Sequence, residues 1–189
     1  MNGSAMGNFE PRVLALDCSP TGNGRTRQAL EAVLGAAAEQ GASCSLVSVA
    51  EDGVEAAQRA VLAADAFVFG SPMWRASYAA PFKALVDEIP RGMWGEKEAP
   101  LTGRAVALVG TGASLHHFLG LAGMRNILID FFAAHVVPPG LYVPSQGFGE
   151  DGLLVDPFLE HARGQGRALV ALAAAINQAP ALSGVVPQA

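Results

Sequence analysis

Cysteine, clustered basic residues and long apolar runs are all scarce in this chain, and each scarcity excludes a class of function. The two cysteines among 189 residues, Cys18 and Cys44, stand far apart, with no paired spacing for a metal or redox site. They read as small apolar core residues of a protein from a reducing, cytoplasmic compartment. Lys and Arg total 12 against 17 Asp and Glu, a formal charge of −5. With a pI near 5.3 and no Lys/Arg cluster, neither nucleic acid nor an anionic membrane surface is an expected partner. No uninterrupted apolar run approaches the roughly 20 residues of a membrane span. Residues 1–11 lack the basic start and apolar stretch of a secretory signal. Their Asn, Gly and Ser content predicts a disordered leader, and no internal repeat or low-complexity segment is visible.

What is present is apolar: 51% of residues are hydrophobic and the mean hydropathy is +0.31. One α/β domain over residues 12–178 is long enough to bury a real core, followed by a flexible tail over 179–189. Strands are expected at 12–17, 44–50, 66–70, 105–110 and 141–143, mostly as the continuous apolar runs of strands buried on both faces. Helices are expected from Thr26, as N-cap, to Gly41, and over 55–64, 81–89, 117–135 and 158–177. Strand–helix alternation predicts a parallel doubly wound sheet with helices on both faces. Five strands favour a flavodoxin-like three-layer sandwich in the order 2-1-3-4-5 over a dinucleotide-binding fold.

In such a sheet the loops after strands one, three and four open on one edge beside the switch point. The first, 19–26, supplies hydroxyls, an Asn, an Arg and backbone amides at a helix N-terminus, groups that hold a phosphate without a metal. The second follows Ala66-Phe-Val-Phe-Gly70, where Ser71-Pro72 breaks the strand and Met73-Trp74-Arg75-Ala76-Ser77-Tyr78 forms an irregular loop before the proline-started helix. The third, Thr111-Gly112-Ala113-Ser114, has so little side-chain bulk that backbone can approach a flat ring edge. Together the three loops read as a slot for a flat aromatic cofactor. Of His116 and His117, at most one is expected to touch a ligand.

Three motifs carry a family resemblance. Ser71-Pro-Met-Trp-Arg-Ala-Ser-Tyr-Ala-Ala-Pro-Phe-Lys-Ala-Leu-Val-Asp-Glu-Ile-Pro90, Thr111-Gly-Ala-Ser-Leu-His-His-Phe-Leu119 and the loop from Ser19-Pro20 to Thr26 are similar to the corresponding segments of the NADPH-dependent FMN reductase family. That family includes reductase partners of two-component sulfonate monooxygenases, and the match runs from about Val13 to Val143. The resemblance implies that Ser19, Asn23, Arg25 and Thr26 surround the FMN phosphate. Pro72, Met73, Trp74 and Arg75 would line the isoalloxazine, with Ser77 supporting their loop, and Thr111, Gly112 and Ala113 would border the ring. It implies an NAD(P)H:FMN oxidoreductase with FMN as cofactor and NADPH or NADH as hydride donor. Reduced flavin would go to a partner monooxygenase, or electrons to a quinone, azo or nitro acceptor.

The chain departs from the family in places. Thr21 stands where the family carries an arginine, so Arg25 must bring the phosphate charge, and Asp17 sets a carboxylate beside that site. Trp74 replaces the usual tyrosine, which would narrow the slot or reach a neighbouring subunit. Ala122-Gly123 stands where some members carry an inserted tyrosine that favours flavin release, which leaves a tightly held flavin open.

Two other readings compete. A non-enzymatic flavodoxin-like electron carrier would bind FMN yet oxidise NAD(P)H negligibly. A low-molecular-weight phosphatase would use Cys18 as nucleophile, Arg25 as clamp and Asp156 as acid, but it needs Cys-x5-Arg, and six residues separate Cys18 from Arg25 here. The apolar segments 127–137 and 168–176 read as helices covered on more than one face. They predict a homodimer or homotetramer.

Overall fold

A computed structural model of the chain describes residues 9–188. Strand β1 (Arg12–Asp17) lies parallel between β2 (Ser43–Ser48) and β3 (Ala66–Trp74), and β3 lies parallel to β5 (Ala105–Gly112). The outer side of β5 is shared by two short parallel strands. These are β6 (His135–Val136), opposite Ala105 and Val106, and β7 (Leu141–Pro144), opposite residues 109–112. With β5 as the fourth parallel strand and β6/β7 as one interrupted fifth, the order is 2-1-3-4-5, the flavodoxin-like sheet.

Alternation along each strand divides the core in two. Val13, Ala15, Ala66, Val68, Ala105, Ala107 and Val109 point to one face, and Leu14, Leu16, Phe67, Phe69, Val106 and Leu108 to the other. Both faces are covered, which is why the strands read as continuous apolar runs. Helices α1 (Arg25–Glu39) and α6 (Phe158–Gln178) cover the first face. They approach so closely that a Cβ on Gly166 would run into the Val33 carbonyl. Helices α3 (Val54–Leu62), α4 (Ala80–Glu88) and α5 (Leu121–Asn126) cover the second.

Several elements differ from expectation for identifiable reasons. The third strand does not break at Ser71-Pro72 but runs to Trp74 and turns back as a hairpin, Met73 opposite Tyr78 and Trp74 opposite Ser77 of β4 (Ser77–Tyr78). Proline is tolerated because the Gly70 carbonyl accepts from Cys18 N, so Gly70 faces β1. Pro72, two residues on, faces the same side past the end of β1, where no ladder partner loses a donor. Strand β2 stops at Ser48, whose hydroxyl caps the short helix α2 (Val49–Asp52) by accepting from Glu51 N at 3.3 Å. Thr26 is not an N-cap; Gly24 holds that position and Thr26 sits buried in the first turn of α1. The single helix expected over 117–135 is a 3-10 segment (Leu115–Gly120), then α5, then a π-helical turn (Ile127–Phe131), ended by Ala133 at φ 55°. In α6 the apolar run is covered along one stripe, with Leu169, Val170, Ala173 and Ile176 buried and Ala168 and Ala171 exposed.

Residues 1–8 of the expected leader, and Ala189, lie outside the described residues. Of the rest of that leader, Phe9 packs on the core and the Pro11 carbonyl accepts from Ser43 N at 3.0 Å. The segment expected as a flexible tail contains α7 (Pro180–Ser183). There Leu182 packs on the core, its carbonyl lies 2.8 Å from His135 Nε2, and Arg91 donates to the Gln188 carbonyl at 3.0 Å.

Candidate functional site at the carboxyl edge of the sheet

The strands β1, β3, β5 and β7 end around a cleft of about 480 Å³. Of the residues expected to form a site, it brings together Ser19, Arg25, Thr26, Pro72, Met73, Trp74, Arg75, Thr111, Gly112 and Ala113. Two expected residues stand apart. Asn23 is exposed on the first loop and lines no part of the cleft, because the chain turns away at Gly22 (φ 68°) before entering α1. Ser77 lies in β4 opposite Trp74, supporting the hairpin from outside. The cleft also includes Pro20, Thr21, Gly24, His117 and Ser145. The first three share the loop already singled out, and His117 is the one of the histidine pair to reach the cleft. Ser145 carries no local signal.

The first loop forms an anion-seeking end. Helix α1 starts here without an acidic residue in its first turn, so no side chain of that turn offsets the positive end of its dipole. Ser19 is 5% exposed, and its Oγ has no hydrogen-bond partner among the described residues. Such a hydroxyl is costly unless a ligand or water completes it. The Asp17 carboxylate beside this end is already engaged. Its Oδ1 accepts from Ser19 N at 2.9 Å, its Oδ2 lies 3.7 Å from Arg27 Nε, and Arg27 also pairs with Glu51 at 2.6 Å.

The second wall is the β3–β4 hairpin. Its two turn residues, Arg75 and Ala76, both have left-handed backbone (φ 51° and 64°), as a tight hairpin requires and as side-chain-bearing residues resist. Ser71 anchors the base: its hydroxyl accepts from Ala79 N at 2.9 Å, just ahead of α4. Met73 is buried inward, against the positions where Gly110 and Gly120 leave room for its thioether. Trp74 is 59% exposed at the mouth.

The third wall is backbone. A Cβ on Gly112 would run into Tyr142 Oη, whose hydroxyl donates to the Ser114 carbonyl at 2.7 Å. Tyr142 thereby holds the bare loop in place, and burial raises its pKa. His117 Nδ1 is buried without a partner among the described residues.

Cys18 takes no part in the cleft. It is fully buried, and its thiol contacts the Leu16 carbonyl at 3.7 Å. Burial first, and the neighbouring Asp17 charge second, push its pKa upward. A phosphatase nucleophile must be a thiolate inside its anion loop; this thiol is protonated and outside it, and Asp156 lines no part of the cleft either.

The fold is shared with the flavodoxin WrbA-like protein from Agrobacterium tumefaciens (TM-score 0.65, 21% identity, 89% of this chain and 99% of that one). It is shared also with the apo form of the NADH:FMN oxidoreductase EMOB (TM-score 0.71, 18% identity, 92% and 94%). Residues 11–148 match the NADPH-dependent FMN reductase family, and the chain belongs to that family. A curated relative, the NADH-dependent FMN reductase SfnF of Pseudomonas putida, is 35% identical over 96 residues, 51% of this chain and 48% of its own length. The matched segment spans about half the length of the curated relatives.

Proposed function

We propose that the chain is an NAD(P)H-dependent FMN reductase that holds FMN in this cleft. The observation that carries the reading is the convergence, at one end of the cleft, of Arg25, the orphaned Ser19 hydroxyl and the acid-free first turn of α1. Beside them stand the Trp74 hairpin and the side-chain-poor edge at 111–113. A phosphate at the first end completes the Ser19 hydroxyl and meets the helix dipole. A flat ring fits between the hairpin and the bare edge, where Gly112 admits no side chain. FMN, when bound, supplies the hydride-accepting ring.

Within this reading each residue has a task. Ser19, Arg25 and Thr26 hold the phosphate. Pro72, Met73, Trp74 and Arg75 form one wall of the ring site, with Ser77 bracing the hairpin. Thr111, Gly112 and Ala113 present backbone to the ring edge. No side chain is assigned as acid or base, because hydride transfer depends on stacking and exclusion of water. NADH or NADPH would approach the open face, and reduced flavin would pass to a partner monooxygenase, or electrons to a quinone, azo or nitro acceptor in the same slot.

A cytoplasmic location accords with the free thiols of Cys18 and Cys44; among the described residues no helix is long and apolar enough to cross a membrane. A homodimer or homotetramer accords with Trp94 at 83% exposure, Phe131 at 45% and Ile129 at 40%, apolar surface that a second subunit would cover; gel filtration tests it. The deciding experiment is titration of the purified protein with FMN by flavin fluorescence, together with FMN-dependent oxidation of NADH and NADPH. Absence of both overturns the reading. Binding with negligible oxidation makes the protein an electron carrier instead.

A further inference from the structure

Arg25 is held at the cleft by a segment remote in sequence. Its Nη1 donates to Ser145 Oγ at 2.8 Å across 120 positions of chain, and its guanidinium carbon lies 5.5 Å from the centroid of the Phe148 ring. Ser145 Oγ donates in turn to the Gly112 carbonyl at 3.4 Å. One hydroxyl therefore joins the start of α1, the end of β5 and the turn after β7. The arrangement is economical in hydrogen bonds: the serine proton goes to the carbonyl, its lone pair receives the arginine, and the other guanidinium donors stay available.

This placement needs a reason, because Arg25 is the first residue of α1, at the positive end of the helix dipole, where a cation is unfavourable. Arg27 follows two residues later, turned away to Asp17 and Glu51. Ser145 on one edge and Phe148 against its face anchor the exposed Arg25 side chain at the cleft despite that repulsion. It remains beside the orphaned Ser19 hydroxyl on the cleft lining. A preset cation, an unpartnered buried hydroxyl and an acid-free first helical turn together match a phosphate monoester dianion.

We propose that Ser145 and Phe148 are positioning residues that fix Arg25 as the phosphate cation, so that the turn after β7 is the second half of the phosphate site. The inference rests on the flavin reading above and adds to it a structural basis for choosing FMN over riboflavin.

The test uses the full chain and its S145A, F148L, R25A and R25A/S145A variants, titrated with FMN and with riboflavin by flavin fluorescence, with thermal unfolding of the ligand-free proteins alongside. S145A is expected to weaken FMN about fivefold to tenfold, in line with loss of a charge-assisted contact, while riboflavin affinity is unchanged. F148L gives a smaller loss of the same selectivity. In the R25A background the serine substitution has no further effect on FMN, because in this inference Ser145 acts on the phosphate through the arginine. Equal losses for FMN and riboflavin, or the same FMN loss with and without Arg25, overturn the inference and make the turn a general support of the cleft. A wild-type protein that binds both flavins equally well leaves the flavin reading standing and removes this one. A protein that binds neither removes both.

Discussion

Thr26 Oγ1 and Thr111 Oγ1 lie 2.9 Å apart in a buried contact, although 85 positions separate them in the chain. The bond ties the first turn of α1 to the end of β5, so the anion-seeking end of the cleft and its bare edge form one rigid corner. Replacing either threonine alone with valine leaves the other hydroxyl buried and unpaired. T26V and T111V should each destabilise the flavin-free protein by about 1–3 kcal/mol. The double variant should lose clearly less than the sum, since both partners are then apolar. Urea unfolding of the four proteins checks this, and strict additivity would show that the hydroxyls do not depend on each other.

Gly112 and Tyr142 make a second coupled pair. Gly112→Ala forces the tyrosine ring aside and breaks its bond to the Ser114 carbonyl. FMN affinity should fall at least tenfold, the scale of about 1.4 kcal/mol. Adding Tyr142→Phe removes the atom in closest conflict and should restore part of the stability lost, as read by thermal unfolding. A G112A protein that binds FMN normally would show that the ring edge does not approach this backbone.

Trp74 stands at the mouth with most of its surface in solvent. Trp74→Ala should therefore leave the melting temperature nearly unchanged while weakening flavin binding or turnover. Unchanged kinetics would reduce the indole to surface packing.

The buried Cys18 thiol gives a pH dependence. Its pKa is raised in the folded protein, so above about pH 9 the unfolded chain loses this proton while the folded one keeps it. Stability is therefore full below that range and falls as pH rises beyond it, with Cys44 and Tyr142, whose pKa values burial also raises, acting in the same direction. Cys18→Ala should flatten the alkaline limb of a stability–pH curve measured by urea unfolding. In the native protein Cys18 should resist iodoacetamide, and the protein should show no activity on p-nitrophenyl phosphate.

The hairpin tip offers a stabilising change. Ala76 sits at φ 64° with a Cβ, a conformation that costs about 1–2 kcal/mol and that glycine adopts freely. Ala76→Gly should raise stability by roughly 0.5–1 kcal/mol after its own entropy cost. A lower melting temperature would show that the surrounding packing already compensates the strain.

The parts of this site that were legible in the sequence are the local ones. A strand end, a small-residue turn and a helix start each leave their mark within a few residues, so strand alternation brings the three loops to one edge, and the family resemblance points to Ser19, Pro72 to Arg75 and Thr111 to Ala113 within them. The continuation of the strand through Pro72 is not legible because a proline breaks a ladder only where its missing donor faces a partner, and that depends on where β1 ends. The segment 117–135 reads as one helix because its apolar residues cover every spacing, and spacing does not distinguish 3-10, α and π turns. Ser145 was invisible for a different reason: its partner is Arg25, and no pattern around residue 145 reports a bond spanning 120 positions.

The interrupted fifth strand has a consequence for solubility. Between β6 and β7 stand Pro138, Pro139 and Gly140, two residues with no N–H to offer and one without a side chain. That margin of the sheet cannot template an incoming strand along its length. The opposite margin, β2, is an unbroken run of six residues without a proline. If partially opened molecules of this protein associate strand to strand, Ser43–Ser48 is where they will join, and a lysine placed on its outward side is the simplest guard.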